Sequence, residues 1–229
     1  MDQAAGRFGG KAGQPVSGQF LAILQLSLLV SGTAVALSAG LGIPLGLWLG
    51  LKRFAGKRLV TALVYTGMAL PPVVVGLLFY LLLSRSGPLG RLEWLYTPQA
   101  MILVQTILGL PFVVGIVMGA VSAVSPELPW QLRALGASEG QVRWELIREV
   151  RPAMLLAIAT ALGRSLSEVG AVWLVGGNIE GHTRVFTTAI VLETGMGNFG
   201  LALALGAVLV AIALTLNLVI LQYQPRAAS

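Results

Sequence analysis

No charged residue occurs between Lys11 and Lys52. An apolar stretch of that length exceeds the roughly 20 residues that carry a helix across a bilayer. Four stretches in this 229-residue chain pass that length. In hydrocarbon every backbone N–H and C=O must find a partner within the protein, and a helix provides one for nearly all of its own. The fold expected is therefore all-α and integral to a membrane. Composition agrees: 56% of residues are hydrophobic and 10% are charged, where soluble domains carry about 25% charged residues.

The chain reads as one transmembrane domain over 19–224, with a polar N-terminal segment at 1–18 and a C-terminal tail at 225–229. Five spans are predicted, at about 20–49, 59–83, 98–124, 152–175 and 199–221. The first is expected to be interrupted by Gly40, Gly42 and Pro44, and the second to kink at Pro71-Pro72, where freed carbonyls need partners from neighbouring helices. The third carries Pro111, and Gly176 to Asn198 is a polar, mixed connection. Arg7 and Lys11 precede an apolar run, as in a secretory signal, but the run is too long for one and no convincing small-residue cleavage site follows a short run. The segment is expected to be retained.

Lys and Arg set the orientation. One side would hold Lys52, Arg53, Lys57, Arg58, Arg133, Arg143, Arg148, Arg151 and Arg226, nine in all. The other would hold five: Arg7, Lys11, Arg85, Arg91 and Arg184. That asymmetry places the 125–151 loop and the C-terminus in the cytoplasm and the N-terminus outside. The net charge of +6 is thus explained by residues at the edges of apolar runs, and it does not point to nucleic acid.

The longest polar interval between apolar runs is Ser125 to Pro152, SPELPWQLRALGASEGQVRWELIREVRP. Leu128, Leu132, Leu135, Val142, Leu146 and Val150 recur at helical spacing, which predicts an apolar helix face. Gly136 and Gly140 each weaken a helix by roughly 1 kcal/mol relative to Ala, so two short helices with a bend are expected. Such a segment could lie on the lipid surface, or it could dock a soluble partner with Trp130 and Trp144 as anchors. Inside the fourth span, Arg164 and Glu168 are four residues apart. Charges at that depth usually pair, and this spacing puts them on one helix face. They read either as a buried clasp between helices or as the lining of a polar path.

Leu135-Gly136-Ala137-Ser138, followed by a basic and aromatic helix closed by Pro152, resembles the cytoplasmic loop of ABC-importer permeases. Trp130-Gln131-Leu132 stands where that family has Glu-Ala-Ala, and Glu127 is the nearest acid. The run from Gly163 to Thr194 resembles permeases for tungstate and, more distantly, molybdate, through its Ser-Glu-Val-Gly, Gly-Gly-Asn-Ile and Thr-Arg-x-x-Thr-Thr-Ala-Ile blocks. The resemblance implies the type I permease fold, with coupling helices between the third and fourth spans. It implies a homodimer with two ATPase subunits, which bind ATP and Mg, and an extracytoplasmic oxyanion-binding protein. The contacts to the ATPase would then come from Glu127, Trp130, Arg133, Leu135, Gly136, Ala137, Ser138, Arg143 and Trp144. The path or gate would draw on Arg164, Ser165, Ser167, Glu168, Asn178, Thr183, Thr187 and Thr188. Neutral hydroxyl and amide donors suit an oxyanion that must bind weakly enough to leave.

The sequence has no G-x-x-x-x-G-K-[ST] phosphate loop, so enzymatic ATP hydrolysis is expected in a partner subunit and no cofactor in this chain. There is no Cys, a single Asp (Asp2) and a single His (His182). A thiolate enzyme, a paired-Asp protease, an H-E-x-x-H protease and a His- or Cys-based metal site are not expected. Two alternatives remain at this point. An ion-coupled secondary transporter would use Glu168 as proton carrier, but such proteins usually show paired repeats and none is found here. A non-transporting scaffold would leave the buried charges without a use.

Overall fold

The computed structural model describes residues 16–52, 54–125 and 127–222. Most of the polar N-terminal segment, with Arg7 and Lys11, lies outside the described residues, as do Arg53, Pro126 and the tail with Arg226. Among the described residues there are ten α-helices, one short 3-10 turn and no strand. They are α1 (Val16–Leu51), α2 (Lys57–Ala69), α3 (Pro72–Leu83), α4 (Pro98–Ala123) and α5 (Glu127–Ala134), then α6 (Glu139–Glu149), α7 (Arg151–Ser167), α8 (Gly170–Gly176), α9 (Phe186–Gly195) and α10 (Phe199–Gln222). Three of them, α1, α4 and α10, are each long and apolar enough to cross a membrane. The bent pairs α2–α3 and α7–α8 bring the candidate spans to five.

The first bend is the kink expected at Pro71-Pro72, and the second corrects the reading of the fourth span as continuous. Helices α2 and α3 meet at 96°. Leu70 (φ −60°, ψ 129°) and Pro71 (φ −64°, ψ 124°) are both extended. Each precedes a proline, whose ring disfavours the α conformation in the residue before it, so the tandem prolines break the helix. Helices α7 and α8 meet at 60°, with no proline nearby. Glu168 is extended there (φ −74°, ψ 126°), and its own carboxylate Oε1 accepts the Ala171 N–H at 2.9 Å. Thr187 Oγ1 donates to the Glu168 carbonyl at 2.9 Å. A side-chain cap and a neighbouring hydroxyl thus satisfy backbone groups that the break frees.

The interruption expected at Gly40, Gly42 and Pro44 is absent, and α1 runs through Pro44 unbroken. The glycines serve packing instead. A Cβ on Gly42 would lie 2.8 Å from Val113 Cβ, one on Gly46 2.9 Å from Val117 Cβ, and one on Gly50 2.5 Å from Val121 Cβ. This four-residue stripe seats α1 directly on α4, the close approach that small residues permit between membrane helices. The matched numbers rise together, so α1 and α4 run parallel. Helix α4 is the centre of the bundle: Val104, Val113 and Val117 are fully buried. Lys57 Nζ closes the end of α1 by donating to the carbonyls of Gly50 (3.2 Å) and Lys52 (3.0 Å). Helix α2 has no buried residue, and α10 is apolar yet mostly uncovered, as suits surfaces that face lipid or another chain.

Candidate functional site

The 125–151 segment forms a hairpin of two short helices with a tightly specified turn. Helix α5 ends in two reverse hydrogen bonds, Ala137 N–H to Leu132 C=O at 3.0 Å and Gly136 N–H to Arg133 C=O at 2.9 Å. This is a Schellman cap, and it needs the left-handed conformation that Gly136 adopts (φ +85°). Ser138 then opens α6 with a capping box: its hydroxyl accepts the Gln141 N–H, and Gln141 Oε1 accepts the Ser138 N–H at 2.8 Å. Arg133 donates to both Glu139 oxygens, at 2.7 and 3.2 Å, tying α5 to α6 across the turn. That hydrogen bond, reinforced by the charges of Arg133 and Arg143, holds the Glu139 carboxyl below its ordinary pKa.

The apolar periodicity does not form one buried face, because Leu135 falls between the helices and is 85% exposed. Only Val142 and, at the joint with α7, Val150 are buried. Trp130 (72% exposed) and Trp144 (66%) also project into solvent. Leu132, Leu135, Gly136 and Trp144 line an open hollow of about 520 Å³ between the two helices. Glu127 begins α5, and Arg143 lies on the exposed side of α6. The hairpin is thus a pre-formed, apolar-tipped projection with a polar rim, the composition of an interface with hot-spot anchors. Val150 ends α6 and begins α7, so a displacement of the hairpin passes to α7 through a one-residue joint.

Arg164 and Glu168 do not pair. Among the described residues the ion pairs are Arg133–Glu139, Arg148–Glu145 and Arg184–Glu180. The expected shared helix face is lost because α7 ends at Ser167 and Glu168 turns to cap α8. Arg164 instead lies over the Phe112 ring of α4, with Cζ 4.7 Å from the centroid. Such contacts contribute about 0.5–2 kcal/mol, more when desolvated. Two turns of α4 toward its start, Gln105 Nε2 donates to the Ser165 carbonyl at 3.2 Å and its Oε1 accepts the Ser165 hydroxyl at 2.7 Å. Gln105, Gly109, Arg164, Ser165 and Glu168 line one narrow crevice. A second, lined by Ser27, Ser31 and Thr187, shares Gln105 and Ser165 with it. Phe112, Gln105, Ser27 and Ser31 were not singled out from sequence. A lone amide between Val104 and Thr106 was the available signal for Gln105.

The remaining path candidates with hydroxyl groups are held by the protein itself. Thr183 is fully buried and donates to the Gly176 carbonyl while accepting the Ile179 N–H at 2.9 Å. Thr188 caps α9 through the Val185 N–H (3.1 Å) and C=O (3.0 Å). Ser167 is exposed and donates to the Arg164 carbonyl at 3.2 Å. Asn178 sits at φ +50° with its Oδ1 buried and unpartnered. The α8–α9 connection is anchored on α1, where Ser27 Oγ accepts the Phe186 N–H at 3.0 Å and Phe20 meets the Phe186 ring edge-on. The hydroxyls of Ser165, Thr183, Thr187 and Thr188 therefore fix the architecture around the Glu168 break, and their protons are spent on protein acceptors.

Residues 42–228 match the family described as "Binding-protein-dependent transport system inner membrane component". The chain is similar to the "Probable anion ABC transporter permease protein" of Haloferax volcanii, 46% identical over 86% of this chain and 87% of the relative. It is also similar to the "Tungstate uptake system permease protein TupB" of Peptoclostridium acidaminophilum, 42% identical over 90% of each. Its fold matches a chain of a bacterial ABC transporter involved in the import of the acidic polysaccharide alginate, with a TM-score of 0.74 at 21% identity, over 94% of this chain and 82% of that one.

Proposed function

Because the chain belongs to the binding-protein-dependent transport system inner membrane components, the permeases of ABC importers, we propose that its cargo is a tetrahedral oxyanion, tungstate first and molybdate next. The observation that carries this reading is Arg164. It is a half-buried cation inside the fourth span, with no carboxylate in ion-pair range among the described residues. A centrally placed cation costs roughly 2.5–3.5 kcal/mol on insertion scales, and an anion crossing beside it is the species that recovers that cost. Similarity to a tungstate permease favours tungstate within the class.

The chain supplies the path and borrows the energy. Two copies enclose the path, each hairpin of α5 and α6 seats in a cytoplasmic ATPase subunit, and an external binding protein delivers the ion. When the ATPase subunits close on ATP, α6 moves α7 through the Val150 joint and the path opens outward. The secondary-transport alternative would need Glu168 as a mobile proton carrier, whereas its Oε1 holds the Ala171 N–H at the start of α8.

The deciding experiment reconstitutes the permease with its ATPase subunit and binding protein. Tungstate, molybdate and sulfate are then compared for ATP-driven uptake. Tungstate uptake that requires all three components is the expected result. Gradient-driven flux by the isolated permease would reverse the assignment.

A further inference from the structure

We propose that Phe112 keeps Arg164 available to the passing oxyanion by holding it away from Glu168, so that the ring and guanidinium form an anion contact within the spans. The inference rests on the oxyanion reading above and adds a positioning residue to it. Arg164 and Glu168 line the same crevice, and only three residues separate them in sequence. An Arg–carboxylate pair would be bidentate, would take up guanidinium donors and would cancel the charge. The Phe112 ring attracts the cation through its quadrupole and cancels none of that charge. Other polar groups of the crevice are committed: Gln105 and Ser165 bond to each other, and Glu168 Oε1 holds the Ala171 N–H. Arg164 is therefore the charged donor left for an anion, and Glu168, close by but unpaired with it, opposes long residence. Conduction needs that balance of attraction and release.

The test uses the complete reconstituted importer and tungstate uptake. Phe112→Leu removes the ring, lets Arg164 reach Glu168, and is expected to lower the uptake rate roughly ten-fold, the scale of a buried cation–π contact. Phe112→Tyr keeps a ring and is expected to retain uptake, which separates loss of the contact from loss of the fold. The double variant Phe112→Leu with Glu168→Gln is expected to recover most of the rate. The amide cannot neutralise Arg164, yet its oxygen still accepts the Ala171 N–H. A structural role for Phe112 gives no reason for that rescue. Full activity in Phe112→Leu, or a defect that Glu168→Gln does not lift, overturns the role of Phe112 and leaves the cargo assignment standing. A wild-type complex that takes up none of tungstate, molybdate and sulfate removes the cargo assignment and this contact with it.

Discussion

Gly136 is the residue on which the hairpin turns. Its φ of +85° belongs to the left-handed region, where an L side chain costs roughly 1–2 kcal/mol, less for Asp or Asn. A Cβ there would meet nothing within 4 Å, so a substitution acts on the turn and its surface and leaves the spans untouched. Gly136→Asp is expected to insert normally, measured as membrane-fraction yield, while ATP-driven uptake is lost. Normal uptake would remove the docking role from the hairpin. Glu139 carries a pH prediction. Its folded pKa is depressed by Arg133, so the stabilisation is complete above the ordinary carboxylate value and disappears as pH falls through the depressed one. Carboxyl ¹³C NMR should show Glu139 titrating below about 4.3, the unperturbed value, and in Arg133→Ala it should rise toward that value, with Arg143 still lowering it. From sequence, the bend at Gly136 was legible because glycine weakens a helix locally, although Gly140, read the same way, lies inside α6. The destinations of the Ser165, Thr183 and Thr187 hydroxyls were not, because the partners of Ser165 and Thr187 lie on distant segments and that of Thr183 on a turn with no sequence signature.

Helices α1 and α4 are joined by a seam that only glycine allows. Gly46→Leu would drive carbon into the Val114 carbonyl and Val117, both within 2.9 Å of the added Cβ. Overpacking of this kind costs typically 1–3 kcal/mol, and against backbone it has little room to relax. The expected outcome is a lower melting temperature of the purified chain, with Gly40→Leu, where nothing lies within 4 Å of a Cβ, as the control that stays unchanged. Glu168→Leu removes the cap of α8 and should destabilise by about 1 kcal/mol, whereas Glu168→Gln keeps an acceptor there. Apolar length made the spans readable, and Pro71-Pro72 marked one discontinuity. The other was hidden: Ser-Leu-Ser-Glu-Val-Gly contains no proline, and a cap formed by a carboxylate two-thirds of the way along an apolar run looks in sequence like a buried charge. Pro44 is the converse: it signals a break but lies exposed within α1, between Gly42 and Gly46, which seat that helix on α4.

For the whole molecule, the parallel course of α1 and α4 agrees with spans that enter from the same face, as the distribution of Lys and Arg requires. The absence of native Cys makes that topology directly measurable. A single Cys at Arg143 should react with an impermeant maleimide only from the cytoplasmic face, and labelling from outside would invert the assignment. The two bent spans bear on how movement crosses the bundle. Their second halves, α3 and α8, lie against each other, with a Cβ on Gly76 only 2.6 Å from Ala171 Cα. Each connects to its first half through two non-helical residues, Leu70-Pro71 and Glu168-Val169. The two second halves therefore form one packed plate hung on two elbows, and any stroke delivered at α7 would reach that plate around a corner, with no continuous shaft to carry a straight push.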